Sequence, residues 1–120
     1  MNFTKLVPNI FYVDISTGLR TFVDCLQFAI THDELKKKSP FCVLEKNGLR
    51  VNLFQDENLA KKDNPEFRLV TDNIEDVYEN VVSKFPELLH PGLPKITMRP
   101  WGAKEFALKD GQIGIVFQQW

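Results

Sequence analysis

Between residues 72 and 86 the apolar positions Ile74, Val77, Tyr78, Val81 and Phe85 recur at the 3.6-residue spacing that stacks side chains on one helix face. Asp72 and Glu75 have the form of a capping box, with Asp in place of Ser or Thr, and Pro86 stops the helix because it has no N–H to continue it. A second helical stripe is Leu19, Phe22, Val23 and Leu26, with Ser16 as candidate N-cap. Most of the remaining apolar runs are short and strand-like. They predict strands over residues 9–14, 28–32, 41–46 and 49–55, and again over 66–71, 96–101, 104–109 and 113–119. Asn47-Gly48 and Asp110-Gly111 are the dipeptides that two-residue hairpins favour.

This order repeats. Lys46-Asn47-Gly48 precedes Leu53-Phe54-Gln55 at the same distance as Lys109-Asp110-Gly111 precedes Val116-Phe117-Gln118. Upstream, Val13-Asp14-Ile15 matches Thr71-Asp72-Asn73 as a strand end running into a helix. A unit of about 60 residues is long for a solenoid and suggests a duplicated half-domain. The polar segment 56–64 has no packing pattern and is the natural connection. The expectation is one α+β domain over residues 1–120, made of two βαβββ halves at about 8–56 and 65–120, with each helix on the outer face of its sheet. A lone half leaves one sheet face bare, so the halves pair with each other or with a second chain.

Composition limits the function. The hydrophobic fraction of 43% and charged fraction of 26% suit a globular domain, and 120 residues bury a core without a staple. The net charge of −1 argues against a nucleic-acid partner. Lys36-Lys37-Lys38 reads as a solvated loop, because no aromatic residue interleaves it. Residues 1–12 have no apolar signal core and no stretch is long enough to span a membrane. Cys25 and Cys42 fall in a helix and a strand and read as reduced, buried thiols, so a cytoplasmic location is expected. Asp14 and Asp72 read as strand-to-helix caps. Ser16 and Ser39 have no paired histidine, and Cys25 opens no helix that would lower its pKa. No catalytic set emerges.

Pro100-Trp101-Gly102-Ala103-Lys104-Glu105-Phe106, followed by Asp110, is similar to the Pro-Trp-Gly-x-Arg-Glu-Phe…Asp stretch of bleomycin-resistance-like proteins, with Lys104 in place of Arg. With the tandem βαβββ order, the whole chain resembles the vicinal oxygen chelate superfamily, which holds glyoxalase, extradiol dioxygenases and the fosfomycin- and bleomycin-resistance proteins. The resemblance implies that each sheet curls into a cup that holds metal and substrate, or ligand alone. It also implies a homodimer, since that superfamily normally covers the exposed sheet edges with another chain. Metal-dependent members place His, Glu or Gln at inward positions of the first and last strand of each half. Here those slots fall near Pro8 or Ile10, Glu66, and Asn52 and Ile115 or Phe54 and Phe117. One carboxylate and one amide are too few ligands for a divalent cation, and His32 and His90 lie in turn or hairpin positions. No metal and no cofactor are expected.

Strand alternation gives a candidate lining for the cup. If Val13 and Thr71 pack toward the helices, then Tyr12, Glu66, Arg68 and Val70 face inward, joined by Arg99, Trp101, Glu105, and Asn52 or Phe54. Aromatic walls with a few charges suit a small molecule. The resemblance therefore implies a metal-free small-molecule-binding protein of the bleomycin-resistance-like type that sequesters an antibiotic or metabolite. The alternatives are a metal-dependent lyase or dioxygenase of the same superfamily, or an interaction module with no ligand. The arginines would select a carboxylate or phosphate if Glu66 and Glu105 pair outward. If the glutamates neutralise them, the floor is polar but uncharged.

Overall fold

A computed structural model describes residues 1–120. The chain divides into two compact units, Met1–Asp63 and Asn64–Trp120, with the boundary inside the polar connection. In the first unit the order is β1 (Asn9–Tyr12), α1 (Ile15–Leu19) running into a π-helical stretch (Arg20–Cys25), β2 (Ala29–Glu34), β3 (Phe41–Lys46) and β4 (Leu49–Gln55). A short helix, α2 (Glu57–Ala60), follows, capped by Asp56. The second unit has β5 (Glu66–Val70), α3 (Ile74–Lys84), β6 (Thr97–Met98), β7 (Lys104–Lys109) and β8 (Gly114–Gln119). The two sheets have the same topology, β1-β4-β3-β2 and β5-β8-β7-β6, with the first strand parallel to the last and the others antiparallel. Each unit is therefore βαβββ.

Asp14 is a cap as expected, whereas neither Ser16 nor Asp72 is one. Asp14, extended at φ −126°, caps α1 by accepting from the Ser16 amide at 2.9 Å and its hydroxyl at 2.7 Å, so Ser16 lies inside the helix. Asn73 caps α3 by accepting from the Asp76 amide at 3.2 Å. Glu75 closes no box with Asp72; it pairs with Lys104 at 3.0 Å. In each unit a glutamine of the last strand reaches the first helical amide: Gln55 accepts from Ile15 at 3.1 Å and Gln119 from Ile74 at 2.8 Å. These are orphan donors of the helix end, so the glutamines tie each helix to its sheet.

That shared device gives the true register of the repeat. Ile15 is equivalent to Ile74 and Gln55 to Gln119, so Tyr12 corresponds to Thr71 and Phe54 to Gln118. The alignment on the Lys-Asn-Gly and Lys-Asp-Gly triplets is one residue out. Asp110 lies one step past the second ladder, which ends at Lys109 opposite Gly114; its amide donates to the Ile113 carbonyl at 3.2 Å and its side chain accepts from the Gln112 and Ile113 amides, so Gly111 and Gln112 make the turn.

The cores follow. Under α1, Ile10, Tyr12, Cys42, Leu44 and Leu53 are all buried, with Ile15, Phe22 and Cys25 above them. The π-helical stretch rotates the buried stripe, so Thr21 and Cys25 point in while Leu19, Val23 and Leu26 are only half-buried. Under α3, Phe106 meets Tyr78 edge-on at 5.0 Å and stacks on Phe117 at 4.8 Å, and Ile74 and Val81 are fully buried.

The strand expected over residues 96–101 shrinks to Thr97–Met98. Residues 89–93 take the rest of the β7 edge, with the His90 amide donating to Ala107 and the Ala107 amide to Leu93, both at 2.9 Å. Beyond Met98 the chain turns at Arg99–Gly102, where the Gly102 amide donates to the Arg99 carbonyl at 2.9 Å and Gly102 takes φ +97°.

Candidate functional site

Each sheet has a face turned away from its own helix, and these faces differ in chemistry. In the first unit, strand alternation and register put Phe11, Phe41 and Phe54 on the face opposite α1. The three rings form a ladder with centroids 5.4 Å apart at each step, and His32 continues it at 5.4 Å from Phe41. Asn52 lies on the same face and donates to Asn9 at 2.9 Å, while its own carbonyl oxygen is buried without a partner. Glu45 accepts from Arg50 at 2.9 Å and Thr31 at 3.0 Å, and those hydrogen bonds hold its pKa below the ordinary value.

In the second unit, the face opposite α3 carries Glu66, Arg68, Gln118 and Glu105. Glu105 is its centre and is 1% exposed. One oxygen, Oε2, accepts from Arg68 Nη1 at 3.0 Å, Trp101 Nε1 at 3.0 Å and Gln118 Nε2 at 2.6 Å. The other, Oε1, has Arg99 Nε at 3.8 Å. Burial acts to raise the Glu105 pKa, but the hydrogen bonds from Trp101 and Gln118, with the charge and hydrogen bond of Arg68, outweigh it. Its pKa is lowered, and the carboxylate is ionised at neutral pH. A carboxylate so committed is a poor general base and a firm anchor. The Arg99 guanidinium lies 4.9 Å from the Trp101 ring centroid, a cation–π contact. Trp101 remains half exposed.

Of the residues expected to line a cup, Glu66, Arg68, Arg99, Trp101 and Glu105 share this one face, and Asn52 and Phe54 share the corresponding face of the first sheet. Tyr12 does not belong with them. It is 1% exposed beneath α1, where a Cβ on Gly18 would lie 2.5 Å from its ring, and Val13 is 48% exposed instead of packing inward. The one-residue slip in the repeat is the cause, because slipping a strand by one exchanges its faces. Gln118, Phe11 and Phe41 were missed. Alternation from Phe54 would have found Phe41, which pairs with it, and the glutamine caps would have found Gln118. A cleft of roughly 440 Å³ near the start of β5, lined by Glu66, His90 and Lys109 among others, contains none of Arg68, Arg99, Trp101 or Glu105.

Donors for a metal do not converge. No three His, Cys, Asp or Glu side chains come together. His90 Nδ1 accepts from the Gly92 amide at 2.9 Å, and His32 pairs with Glu34 at 2.6 Å. Cys25 and Cys42 are buried thiols outside any disulfide, and burial pushes their pKa values up to about 11, which disfavours the nucleophilic thiolate.

Two βαβββ units with this topology define the α+β glyoxalase/bleomycin-resistance fold. A bleomycin-binding protein crystallised with bleomycin superposes with a TM-score of 0.74 over 98% of this chain and 99% of its own, at 18% identity. TioX from Micromonospora sp. ML1 gives 0.79 over 97% and 98%, at 11% identity. A superfamily member from Sphaerobacter thermophilus gives 0.70 over 99% and 98%, at 15% identity. The resemblance read from residues 100–110 thus holds for the fold. No protein-family model matches the chain, and no curated protein matches it in sequence. No helix is long and apolar enough to cross a membrane.

Proposed function

We propose that the chain is a metal-free small-molecule-binding protein of the bleomycin-resistance-like type, which sequesters an antibiotic or metabolite without transforming it. One observation carries this reading: Glu105, buried and ionised, fixes the half-exposed Arg68, Arg99 and Trp101 on the face opposite α3. Positioned charges beside exposed ring area suit ligand recognition, and no three His, Cys, Asp or Glu side chains gather to hold a metal. Asn52 and Phe54, with the phenylalanine ladder, supply a second surface suited to flat apolar groups. Two solved neighbours were crystallised with bleomycin or copper(II)-bleomycin, which supports a small-molecule ligand for this fold. The reading includes a single 120-residue domain, a homodimer and a reducing cytoplasmic setting for two thiols that form no disulfide.

A thermal-shift screen of chelator-treated protein tests it. A ligand at 100-fold its dissociation constant adds about 2.7 kcal/mol of stability. Hits that persist after chelation support sequestration. Stoichiometric zinc, nickel, iron or manganese, lost on Glu66→Ala and accompanied by turnover, would establish the lyase or dioxygenase reading instead.

A further inference from the structure

The two guanidinium groups opposite α3 are unequally paired. Two guanidinium groups, Arg68 and Arg99, face one buried carboxylate, Glu105. Its Oε2 already takes three donors, and Arg68 holds the short contact at 3.0 Å. Arg99 is left with the long one, 3.8 Å to Oε1, and its Nε is buried without a hydrogen-bond partner. Glu66 does not compensate Arg99. It lies 3.9 Å from Arg68 and its side chain is 62% exposed, so water screens most of its charge. Arg99 is also held in place, because its guanidinium lies over the Trp101 ring while the side chain keeps 34% of its surface open. Nε is turned in toward Glu105, and the open part of an oriented planar fork is a receptor for an oxyanion, which a guanidinium grips through two parallel hydrogen bonds.

We propose that Arg99, stacked on Trp101, grips a single carboxylate on the bound molecule, so that the ligand class is an aromatic monocarboxylate. This rests on the small-molecule-binding reading above and names the chemistry of that site. Arg99 has its nearest carboxylate oxygen at 3.8 Å, beyond hydrogen-bond distance, so one ligand carboxylate completes its pairing. A phosphomonoester dianion would bring a second negative charge toward Glu105, and an ammonium group would meet the Arg99 charge directly. The half-exposed Trp101 indole offers ring area beside the carboxylate for the ligand's flat skeleton.

Calorimetry with four probes that share one ring system tests this: 2-naphthoate, 2-naphthamide, 2-naphthyl phosphate and 2-naphthylmethylamine. Wild type binds naphthoate at least about tenfold more tightly than naphthamide. Arg99→Gln removes that advantage, so that naphthoate binds no more tightly than naphthamide, and Arg99→Lys, which keeps the charge but loses the fork, retains only part of it. Both variants keep the wild-type circular dichroism, because Arg99 is an open turn residue. Equal binding of naphthoate and naphthamide, or tighter binding of the phosphate or the amine, overturns the carboxylate grip while leaving the binding reading standing. If none of the four binds at about millimolar concentration, the carboxylate grip is overturned, and the chelator-treated library screen decides separately whether the binding reading falls with it.

Discussion

Glu105→Ala removes the one acceptor on which the face opposite α3 is built. Trp101 loses a 3.0 Å hydrogen bond and Gln118 a 2.6 Å one. A shielded hydrogen bond contributes about 1 kcal/mol, and Gln118, 7% exposed, is left with a donor it cannot fully return to water. The Arg68 pair counts for less, about 0.5 kcal/mol, because the Arg68 side chain is 47% exposed and rehydrates. The expected loss is about 3 kcal/mol, which for a chain of this length lowers the thermal midpoint by about 10 °C. Glu105→Gln keeps the shape and removes the charge, so it costs less, about 1–2 kcal/mol. The pH dependence separates charge from shape. The folded-state pKa of Glu105 lies below the ordinary value of 4.5, so the ionised form favours the folded chain at every pH above that value. The advantage of wild type over Glu105→Gln is therefore full at pH 6–7, shrinks as pH falls below about 4.5, and is gone once pH has passed through the folded pKa. Urea unfolding followed by circular dichroism between about pH 3 and pH 7 measures it. A gap that stays constant or widens toward acid, or a Glu105→Ala midpoint within a degree of wild type, would refute the reasoning.

Other expectations follow from the two cores. Val81→Asp puts an unpaired charge at a fully buried position under α3 and costs more than about 3 kcal/mol; an unchanged thermal midpoint would show that the helix register is wrong. Gly18→Ala forces a methyl group to within 2.5 Å of the Tyr12 ring and destabilises by about 1–3 kcal/mol, and adding Tyr12→Leu recovers part of that in a double-mutant cycle; additive losses would show that the two residues do not touch. Cys25 and Cys42, with pKa values raised to about 11, react with a disulfide reagent at mildly alkaline pH only as fast as the chain unfolds; rapid modification of folded protein would contradict their burial.

The duplicated βαβββ order, both hairpins and the α3 stripe were legible because each rests on local periodicity: Ile74 and Val81 are buried where the 3.6-residue pattern puts them. The exact register was not. Lys46-Asn47-Gly48 and Lys109-Asp110-Gly111 look alike, but Asp110 pairs across its hairpin with Ile113 while Asn47, at φ +54°, sits in the turn, and nothing local separates the two. The match of Val13 to Thr71 is one residue out as well, and it sets the faces of β1, so alternation puts Tyr12 on the wrong side while Arg68 and Glu105 lie opposite α3. The short β6 was illegible for a different reason. The segment at 89–93 competes for the same strand edge, a long-range contact that propensity over residues 96–101 does not record. The Glu105 network is likewise assembled from β5, β7, β8 and a turn, and its members declare themselves only once the register is known.

The central claim is that this chain holds a small organic molecule through its own side chains and needs no metal to do so. Native mass spectrometry of protein purified without chelator, before and after addition of a hit from the thermal screen, tests it most directly. The account predicts a two-chain species that gains the mass of the organic compound and no metal mass, with the gain lost in Arg99→Gln for a carboxylate ligand. Uptake of the compound only alongside a stoichiometric divalent cation would contradict it.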